Sequence, residues 1–234
     1  MELQPAESRH LKALRLRDGD AVMATDGKGA LWEAHLDDRG GSANIRLGVR
    51  TAAPDPLPVD LWAPVGNKQA MLWLVEKATE LGVARIQPVE FERSGSVADG
   101  GRSPAFWEKA RRRAVSALKQ SGGAWLPEVL APSPLHGLLG SEGLDRCTRI
   151  VLEAGGGPLS RLIAGSRVDH LVLLVGPEGG LSPMEMEACV EAGFETASLG
   201  DLVLRFETAA MAALAVVSQK RLVERHEDGE RTLA

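Results

Sequence analysis

The stretch LVLLVGPEGGLSPMEME, residues 171–187, joins an uninterrupted apolar run to a helix start across a glycine-rich bend. The apolar run at residues 171–175 does not alternate with polar residues, which predicts a strand that is buried on both faces of a parallel sheet. The bend at residues 176–181 then lies at the carboxyl end of a buried strand. Open α/β sheets bind their ligands at such ends, so we expect a binding site there.

A helix-start signal follows the bend directly. Ser182 and Glu185 have the spacing of a capping box, in which each side chain accepts a backbone N–H of the other residue. Pro183 stands at the first helical position, and Gly193 is expected to end the helix. These signals predict a strand, a tight bend and a helix in immediate succession.

Strand and helix signals alternate through the whole second part of the chain. Asn67 predicts the start of a helix that Gly82 ends, another helix is expected from Ser103 to about Gln120, and the last is expected at about 208–224. Apolar segments predict strands at residues 59–65, 84–91, 149–154, 170–176 and 196–200. This alternation is typical of an α/β fold with a mostly parallel sheet.

The first part of the chain has a different pattern. Residues 1–53 contain short alternating segments that are separated by Asp-Gly and Gly-Gly pairs, which predicts a small β-rich domain, expected to be a barrel. Residues 51–58 read TAAPDPLP, and their prolines favour a stiff, extended connection. We therefore expect a β domain at residues 1–53, a linker at 54–58 and an α/β domain at 59–234.

Composition and charge exclude several classes of protein. The net charge of −5 and the pI near 5.6 argue against a uniformly basic protein that wraps nucleic acid. Cys147 and Cys189 lie too far apart for a disulfide scaffold or a zinc motif, and the five histidines are scattered, so no metal is expected. The first residues lack an apolar signal segment, and no apolar run is long enough for a membrane span. We expect a cytoplasmic protein.

Glycines also mark the ends of two other predicted strands. The segments are VLEAGGG at residues 151–157 and SLGDLVLRFETAA at residues 198–210. Together with the first bend they suit a flat, uncharged ligand such as an adenine ring, with backbone groups at its edge and Leu199 and Leu204 over its faces. No phosphate-binding glycine motif is present, and Glu178 would repel a phosphate. The alternative is that each bend is an ordinary turn.

Three motifs together resemble one enzyme family. GPEGGLS, LGDLVLRFETAA and the upstream KATELGVARIQPVEFERS are similar to segments of the bacterial 16S ribosomal RNA uracil-N3 methyltransferases, the RsmE-type branch of the SPOUT superfamily. The resemblance covers essentially the whole chain. It implies a PUA-like N-terminal β-barrel and a C-terminal α/β domain with a trefoil knot. It also implies a homodimer, with S-adenosylmethionine as cofactor and the small ribosomal subunit as partner. The segment TAAMAALAVV at residues 208–217 of the C-terminal helix is apolar nearly all round, which favours it as the dimer interface, and the alternative is a helix of the core.

The resemblance also implies roles for particular residues. By position, the cofactor pocket would use Leu152, Gly176, Gly180, Leu199, Gly200 and Leu204. Methylation of a uracil N3 requires that its proton leaves and that the resulting negative charge is stabilised. We expect Arg205 to stabilise this charge, and Glu207 to orient Arg205 or to help remove the proton. The alternative is that these two residues form an ordinary ion pair near a helix N-terminus.

RNA binding requires basic surface in spite of the acidic total. Residues 105–125 carry five bases and one acid, and further bases lie near the N-terminus and at predicted strand ends. We expect contacts to RNA phosphates from Arg9, Lys12, Arg15, Lys68, Arg93 and Arg112. For each single residue, a solvated surface position is the alternative.

Two other functions remain compatible with the sequence. The first is a SPOUT methyltransferase that acts on a ribose 2′-OH or on another RNA. The second is a non-catalytic RNA-binding module whose α/β part is only a scaffold. Cofactor binding distinguishes the enzymes from the module, because a scaffold does not need three glycine bends at one edge of the sheet.

Overall fold

The protein is represented by a computed structural model that describes residues 3, 7–8, 11, 15–37, 44–93, 103–164 and 169–232, without the side chains of residues 228–232. The chain divides into two compact units. Unit 1 contains Met1–Asp55 together with Gln120–Trp125, and unit 2 contains Pro56–Lys119 and Leu126–Ala234. Each unit is described separately below.

Unit 1 contains a three-stranded antiparallel sheet in the order β1-β2-β3, with β1 at Ala21–Thr25, β2 at Ala30–Asp37 and β3 at Asn44–Ala52. One face of this sheet is buried, because Ala34 and Leu36 alternate along β2 and form a small apolar cluster with Ile45 of β3, against which Val22 and Ala24 of β1 pack. The antiparallel strands agree with the predicted β-rich domain. Closure of the sheet into a barrel stays a prediction.

The second segment of unit 1 packs against the turn between β1 and β2. The Gly29 N–H donates to the Ala124 carbonyl at 2.9 Å, and the Trp125 indole N–H donates to the Pro54 carbonyl at 2.9 Å. The Trp125 ring lies so close to Gly29 that a side chain at Gly29 would collide with it. Unit 1 is therefore completed by residues that are distant in the sequence, and no local sequence pattern indicates this.

Unit 2 is built on a parallel sheet with strand order β10-β8-β9-β4-β5-β6, and β7 pairs with β5. Every described strand pair in this sheet is parallel. The strands are β4 at Leu57–Pro64, β5 at Val83–Glu90, β6 at Glu128–Val129, β7 at Ser133–Pro134, β8 at Thr148–Pro158, β9 at Leu171–Val175 and β10 at Glu195–Ser198. The predicted linker is shorter than expected, because Leu57 and Pro58 already belong to β4.

Helices connect the strands of this sheet. They are α1 at Lys68–Glu80, α2 at Pro104–Ser121, α3 at Leu135–Leu139, α4 at Leu159–Ala164, α5 at Pro183–Glu191 and α6 at Phe206–Thr232, with a short 3-10 turn at Leu144–Arg146. The last helix begins earlier and ends later than the predicted 208–224. Among the described helices, none has both the length and the apolarity that a lipid bilayer crossing requires.

The predicted helix ends are confirmed. The Asn67 side chain accepts the N–H groups of Gln69 and Ala70 at the start of α1. Ser182 and Glu185 form the full capping box at the start of α5. Gly82 and Gly193 follow the two helices in left-handed conformations, as a terminating glycine does.

Apolar clusters lie on both faces of the sheet of unit 2. Leu171, Leu173 and Val175 of β9 belong to one cluster, and Val172 and Leu174 belong to the other. Because successive side chains of a strand point to opposite faces, β9 is buried on both sides, as its uninterrupted apolar sequence predicts.

Candidate active site

A cleft of about 320 Å³ lies at the carboxyl ends of β8, β9 and β10. Three chain segments line it, and each follows or interrupts one of these strands. All six residues expected to bind the cofactor are among its lining residues, namely Leu152, Gly176, Gly180, Leu199, Gly200 and Leu204. The structure thus brings together residues that are up to about fifty positions apart in the sequence. Which ligand they bind is a separate question.

The bend after β9 is a tight turn. The Gly180 N–H donates to the Pro177 carbonyl at 2.8 Å, and Gly180 has a φ of 68°, a conformation that side chains disfavour. Leu181 follows with its side chain buried, close to Gly176. The capping box of α5 begins at the next residue, so the bend is fixed at both ends.

Glu92 and Arg93, which lie just after β5, hold this bend from outside the cleft. The Arg93 guanidinium donates to the carbonyl oxygens of Gly179 and Leu181, at 3.2 and 3.3 Å. The Glu92 N–H donates to a carboxylate oxygen of Glu185 at 2.8 Å. The bend is therefore connected to a strand that lies two positions away from β9 in the sheet.

The segment at residues 151–157 has a different form from the expected loop. β8 does not end there: Val151 pairs with Thr196, and after an excursion the strand resumes with Gly157 opposite Ala197. A side chain at Gly156 would lie 2.8 Å from backbone atoms of Ala197, so β8 and β10 approach each other too closely for any other residue. The glycines thus allow β8 to leave its pairing with β10 and to resume it. Leu152, Glu153 and Ala154, which lie in the interrupted part of β8, line the cleft.

The third segment, residues 199–204, is strongly apolar and exposed. The exposed fractions are 82% for Leu202 and 90% for Val203, and both residues line the cleft. Exposed apolar side chains at a cleft entrance favour contact with a ligand or with another macromolecule.

Acidic groups dominate the charge of the cleft. Glu153 and Glu178 are among the lining residues, and no Lys, Arg or His lines it among the described residues. Such a cleft favours a ligand with positive charge and disfavours a phosphate. This agrees with the expectation from Glu178 in the sequence.

Arg205 and Glu207 lie where the third segment enters α6. Arg205 is exposed, and its carbonyl accepts the Ala209 N–H at 2.9 Å. Glu207 is half-buried in the first turn, and one of its carboxylate oxygens is buried without a hydrogen-bond partner in the described part of the chain. Among the ion pairs that the structure describes, none joins the two residues, so direct orientation of Arg205 by Glu207 is not seen.

The bases expected to contact RNA occupy dissimilar positions. Arg9 and Lys12 lie outside the described residues, and Arg15 is exposed in unit 1. Lys68 is exposed at the first position of α1. Arg112 is exposed on α2, 3.6 Å from Glu108. Arg93 differs from these, because its guanidinium is already bound to the bend.

Two features of the site are not evident from the sequence. The contacts of Arg93 and Glu185 join residues that are 86 and 93 positions apart, and no local pattern reveals such pairs. Phe206 is the second, since its ring lies against Gly66 at the end of β4 and is buried. A glycine directly after a predicted strand was the one available signal for this close approach.

Comparison with known proteins identifies relatives over most of the chain. The family model described as the RNA methyltransferase domain matches residues 53–218, and the model of the RNA methyltransferase PUA domain matches residues 3–43. A ribosomal RNA small subunit methyltransferase E from Synechocystis is 31% identical, covering 88% of this chain and 68% of the relative. A protein of the same name from Mycobacterium tuberculosis is 30% identical, covering 87% and 79%.

A solved structure agrees with these relatives. The ribosomal RNA small subunit methyltransferase E from Neisseria gonorrhoeae, bound to S-adenosyl methionine, superimposes with a TM-score of 0.83 at 29% identity. The superposition covers 94% of this chain and 91% of the other. The similarity therefore extends over both units.

Proposed function

The chain belongs to the RNA methyltransferase family, and from this premise we propose that it transfers a methyl group from S-adenosylmethionine to the N3 of a uridine in 16S ribosomal RNA. The relatives named above are ribosomal RNA small subunit methyltransferases, and one of them binds S-adenosyl methionine. The choice of uridine N3 rests on the motifs of this family in the sequence. A ribosomal substrate is met in the cytoplasm, where we expect the protein to act.

The observation that carries this proposal is the cleft formed by the three segments. Its volume of about 320 Å³ lies in the usual range of small-molecule sites. Glycines expose backbone groups that can read the edge of an adenine ring, and Leu199 and Leu204 offer apolar contact to its faces. The acidic lining suits the cationic sulfonium and disfavours phosphate-bearing cofactors. The residues present therefore fit S-adenosylmethionine.

Arg205 and Glu207 are the proposed catalytic residues. Bound S-adenosylmethionine supplies an electrophilic methyl group. Arg205 is exposed beside the cleft, where its guanidinium can stabilise the negative charge that develops on the uracil. Glu207 lies in the first turn of α6, and we assign it the acceptance of the N3 proton; one of its carboxylate oxygens is buried without a hydrogen-bond partner among the described residues.

We further propose that basic residues outside the cleft hold the RNA. Lys68 and Arg112 are exposed and belong to unit 2, and Arg15 is exposed in unit 1. Arg9 and Lys12 precede it in the sequence. Phosphate contacts from such residues make affinity fall steeply as salt rises, so a binding constant that is flat from low to moderate salt would argue against RNA contact.

The family also supports two proposals about architecture, a trefoil knot in unit 2 and a homodimer through α6. An apolar groove between α4 and α6 supports the dimer, since Ile163, Ala164, Val216 and Val223 line it. A two-fold dimer buries the same surface patch of both chains, and burial of apolar side chains favours such a contact. Sedimentation equilibrium tests this directly, because a monomer at micromolar concentration would refute the dimer.

The proposed reaction is tested in two steps. Calorimetry with S-adenosylmethionine should show one site per chain, and absence of binding would leave a non-catalytic RNA-binding module. Small-subunit RNA is then treated with protein and labelled cofactor, digested to nucleosides and fragmented in a mass spectrometer. The label should stay with the uracil base, whereas label on the sugar fragment would identify a ribose 2′-OH methyltransferase instead.

A further inference from the structure

The end of β5 and the glycine bend after β9 are joined by backbone-directed hydrogen bonds. One guanidinium nitrogen of Arg93 donates to the carbonyl oxygens of Gly179 and Leu181. The aliphatic part of Arg93 also packs on Gly179, since a side chain there would lie 3.4 Å from the Arg93 Cβ. Arg93 is thus bound to the bend through both its charge and its stem.

Glu185 connects the same two segments from the other side. Its side chain is buried, with one oxygen accepting the Glu92 N–H and the other accepting the Ser182 N–H, each at 2.8 Å. Both oxygens are therefore engaged by backbone donors. Arg93 and Glu185 together join the bend to the segment after β5 by three hydrogen bonds, and a fourth ties Glu185 to Ser182 at the end of the bend.

We propose that Arg93 is a positioning residue for the cofactor-binding bend and not a contact to RNA phosphate. The inference rests on the proposed function, because it assigns the bend to S-adenosylmethionine. The two carbonyl groups that Arg93 binds flank Gly180, which lines the cleft in a left-handed conformation. Holding both peptide groups from outside keeps the cleft side of the bend in one conformation, which reduces the entropy lost when the ligand binds.

The positive charge of Arg93 lies against a bend whose cleft side is acidic. The cleft carries Glu153 and Glu178, and the Arg93 guanidinium is the cation that the structure places against the outside of the bend. Both hydrogen bonds use Nη1, which directs this nitrogen of the exposed guanidinium to the bend and restricts how the group can approach a phosphate.

The decisive variant is Arg93→Met, which keeps an aliphatic stem against Gly179 and removes the hydrogen-bond donors. We expect the Kd for S-adenosylmethionine to rise about five- to twentyfold, in line with the loss of hydrogen bonds from a charged group at a partly exposed site. KM for the cofactor should rise similarly, while kcat at saturating cofactor stays within about twofold. Arg93→Lys keeps the charge and donors and should restore most of the affinity.

Arg112→Met is the matched control, since Arg112 is an exposed base of α2 whose described ion pair is to Glu108. It should leave cofactor affinity unchanged, weaken RNA binding and reduce the slope of affinity against salt. For Arg93→Met, RNA affinity and its salt slope should equal those of the wild type. Melting curves without cofactor show whether each variant is folded.

Two outcomes overturn the inference while leaving the proposed function intact. One is wild-type cofactor affinity in Arg93→Met, and the other is a loss of RNA affinity and salt slope like that of Arg112→Met. Failure of the wild-type protein itself to bind S-adenosylmethionine would overturn both the proposed function and the inference. The calorimetric titration of the wild type therefore comes first.

Discussion

Gly156 is a residue at which one added methyl group would meet backbone atoms of a paired strand. Its neighbours across the sheet are backbone atoms of Ala197, at 2.8 Å from the position of a side-chain carbon. Backbone atoms of a paired strand cannot move aside as the end of a flexible side chain can. The contact between β8 and β10 beside the cleft therefore depends on the absence of a side chain.

Gly156→Ala should destabilise the protein by about 1–3 kcal/mol, the usual cost of overpacking, and weaken cofactor binding. Gly157→Ala is the matched control, because the next glycine has no atom within 4 Å of such a carbon and has no positive φ. It should change stability by less than about 1 kcal/mol. Denaturant unfolding measures both, and equal effects of the two substitutions would contradict the argument.

Arg205→Ala tests the proposed stabilisation of charge. We expect methyl transfer to fall at least about a hundredfold, since removal of a donor aimed at developing charge has effects of this size. Cofactor affinity should change by no more than a few-fold, because Arg205 is not among the residues that line the cleft. Label incorporation and calorimetry measure the two quantities.

Arg146→Ala is a suitable control for this variant. Arg146 is also exposed, but it precedes β8 and so lies toward the amino end of the strand, away from the cleft. Its replacement should leave turnover unchanged. Near-normal turnover by Arg205→Ala would remove Arg205 from the mechanism.

At the scale of elements, local sequence signals predict the positions of several helices and strands. The capping box of α5, the cap at Asn67 and the uninterrupted apolar run of β9 are each written in consecutive residues, so the sequence predicts them correctly. The form of β8 was not predictable. Its interruption depends on pairing with β10, whose residues lie about forty positions later, and glycines alone do not distinguish a loop from an interrupted strand.

Ser182→Ala tests the element that fixes the glycine bend to α5. Ser182 is buried, and its hydroxyl accepts the Glu185 N–H at 3.2 Å. Loss of this cap should cost about 1–2 kcal/mol, the upper part of the range for caps, because a buried N–H loses its partner. Ser160→Ala, at an exposed serine of α4, should change stability by less than about 0.5 kcal/mol. Equal unfolding midpoints for both variants would contradict a capping role.

At the scale of the whole molecule, the core of unit 2 holds a thiol that resists ionisation. Cys189 is fully buried, and burial, together with the nearby Glu185 carboxylate, raises the pKa of its thiol from 9.0 to about 11. Above pH 9 the unfolded chain loses this proton while the folded chain keeps it. Stability from this group is therefore present below pH 9 and is lost as the pH rises toward about 11.

The free energy of unfolding should fall by about 2 to 3 kcal/mol over this range because of Cys189. In Cys189→Ala the decline should be smaller by that amount, on top of a constant loss from the cavity. Burial also raises the pKa of Cys147, so Cys147→Ala serves as the comparison and should keep most of the decline. Chemical unfolding at a series of pH values measures this decline in the free energy of unfolding. If the free energy of unfolding fell with pH equally in the wild type and in Cys189→Ala, Cys189 would be excluded as the source of the pH dependence.

Composition shifts and periodicity in the sequence predict that the fold has two units. They do not predict which residues belong to each unit. The proline-rich residues 54–58 suggest one division, whereas unit 1 also contains Gln120–Trp125. These six residues begin in the last turn of α2 and continue as a connection, and the contacts of Ala124 and Trp125 with Gly29 and Pro54 assign them to unit 1. Assignments that depend on packing across a hundred residues are beyond local sequence patterns.

This discontinuous membership restricts how the gene can be cut and recombined. A fragment that stops at Asp55 lacks the Trp125 side chain and the Ala124 carbonyl that complete its turn between β1 and β2. A fragment that begins at Pro56 would contain Gln120–Trp125 without the rest of unit 1 against which these residues pack. Transfer of unit 1 to another enzyme therefore requires both of its segments, Met1–Asp55 and Gln120–Trp125. We expect chimeras that receive only the first segment to be poorly folded.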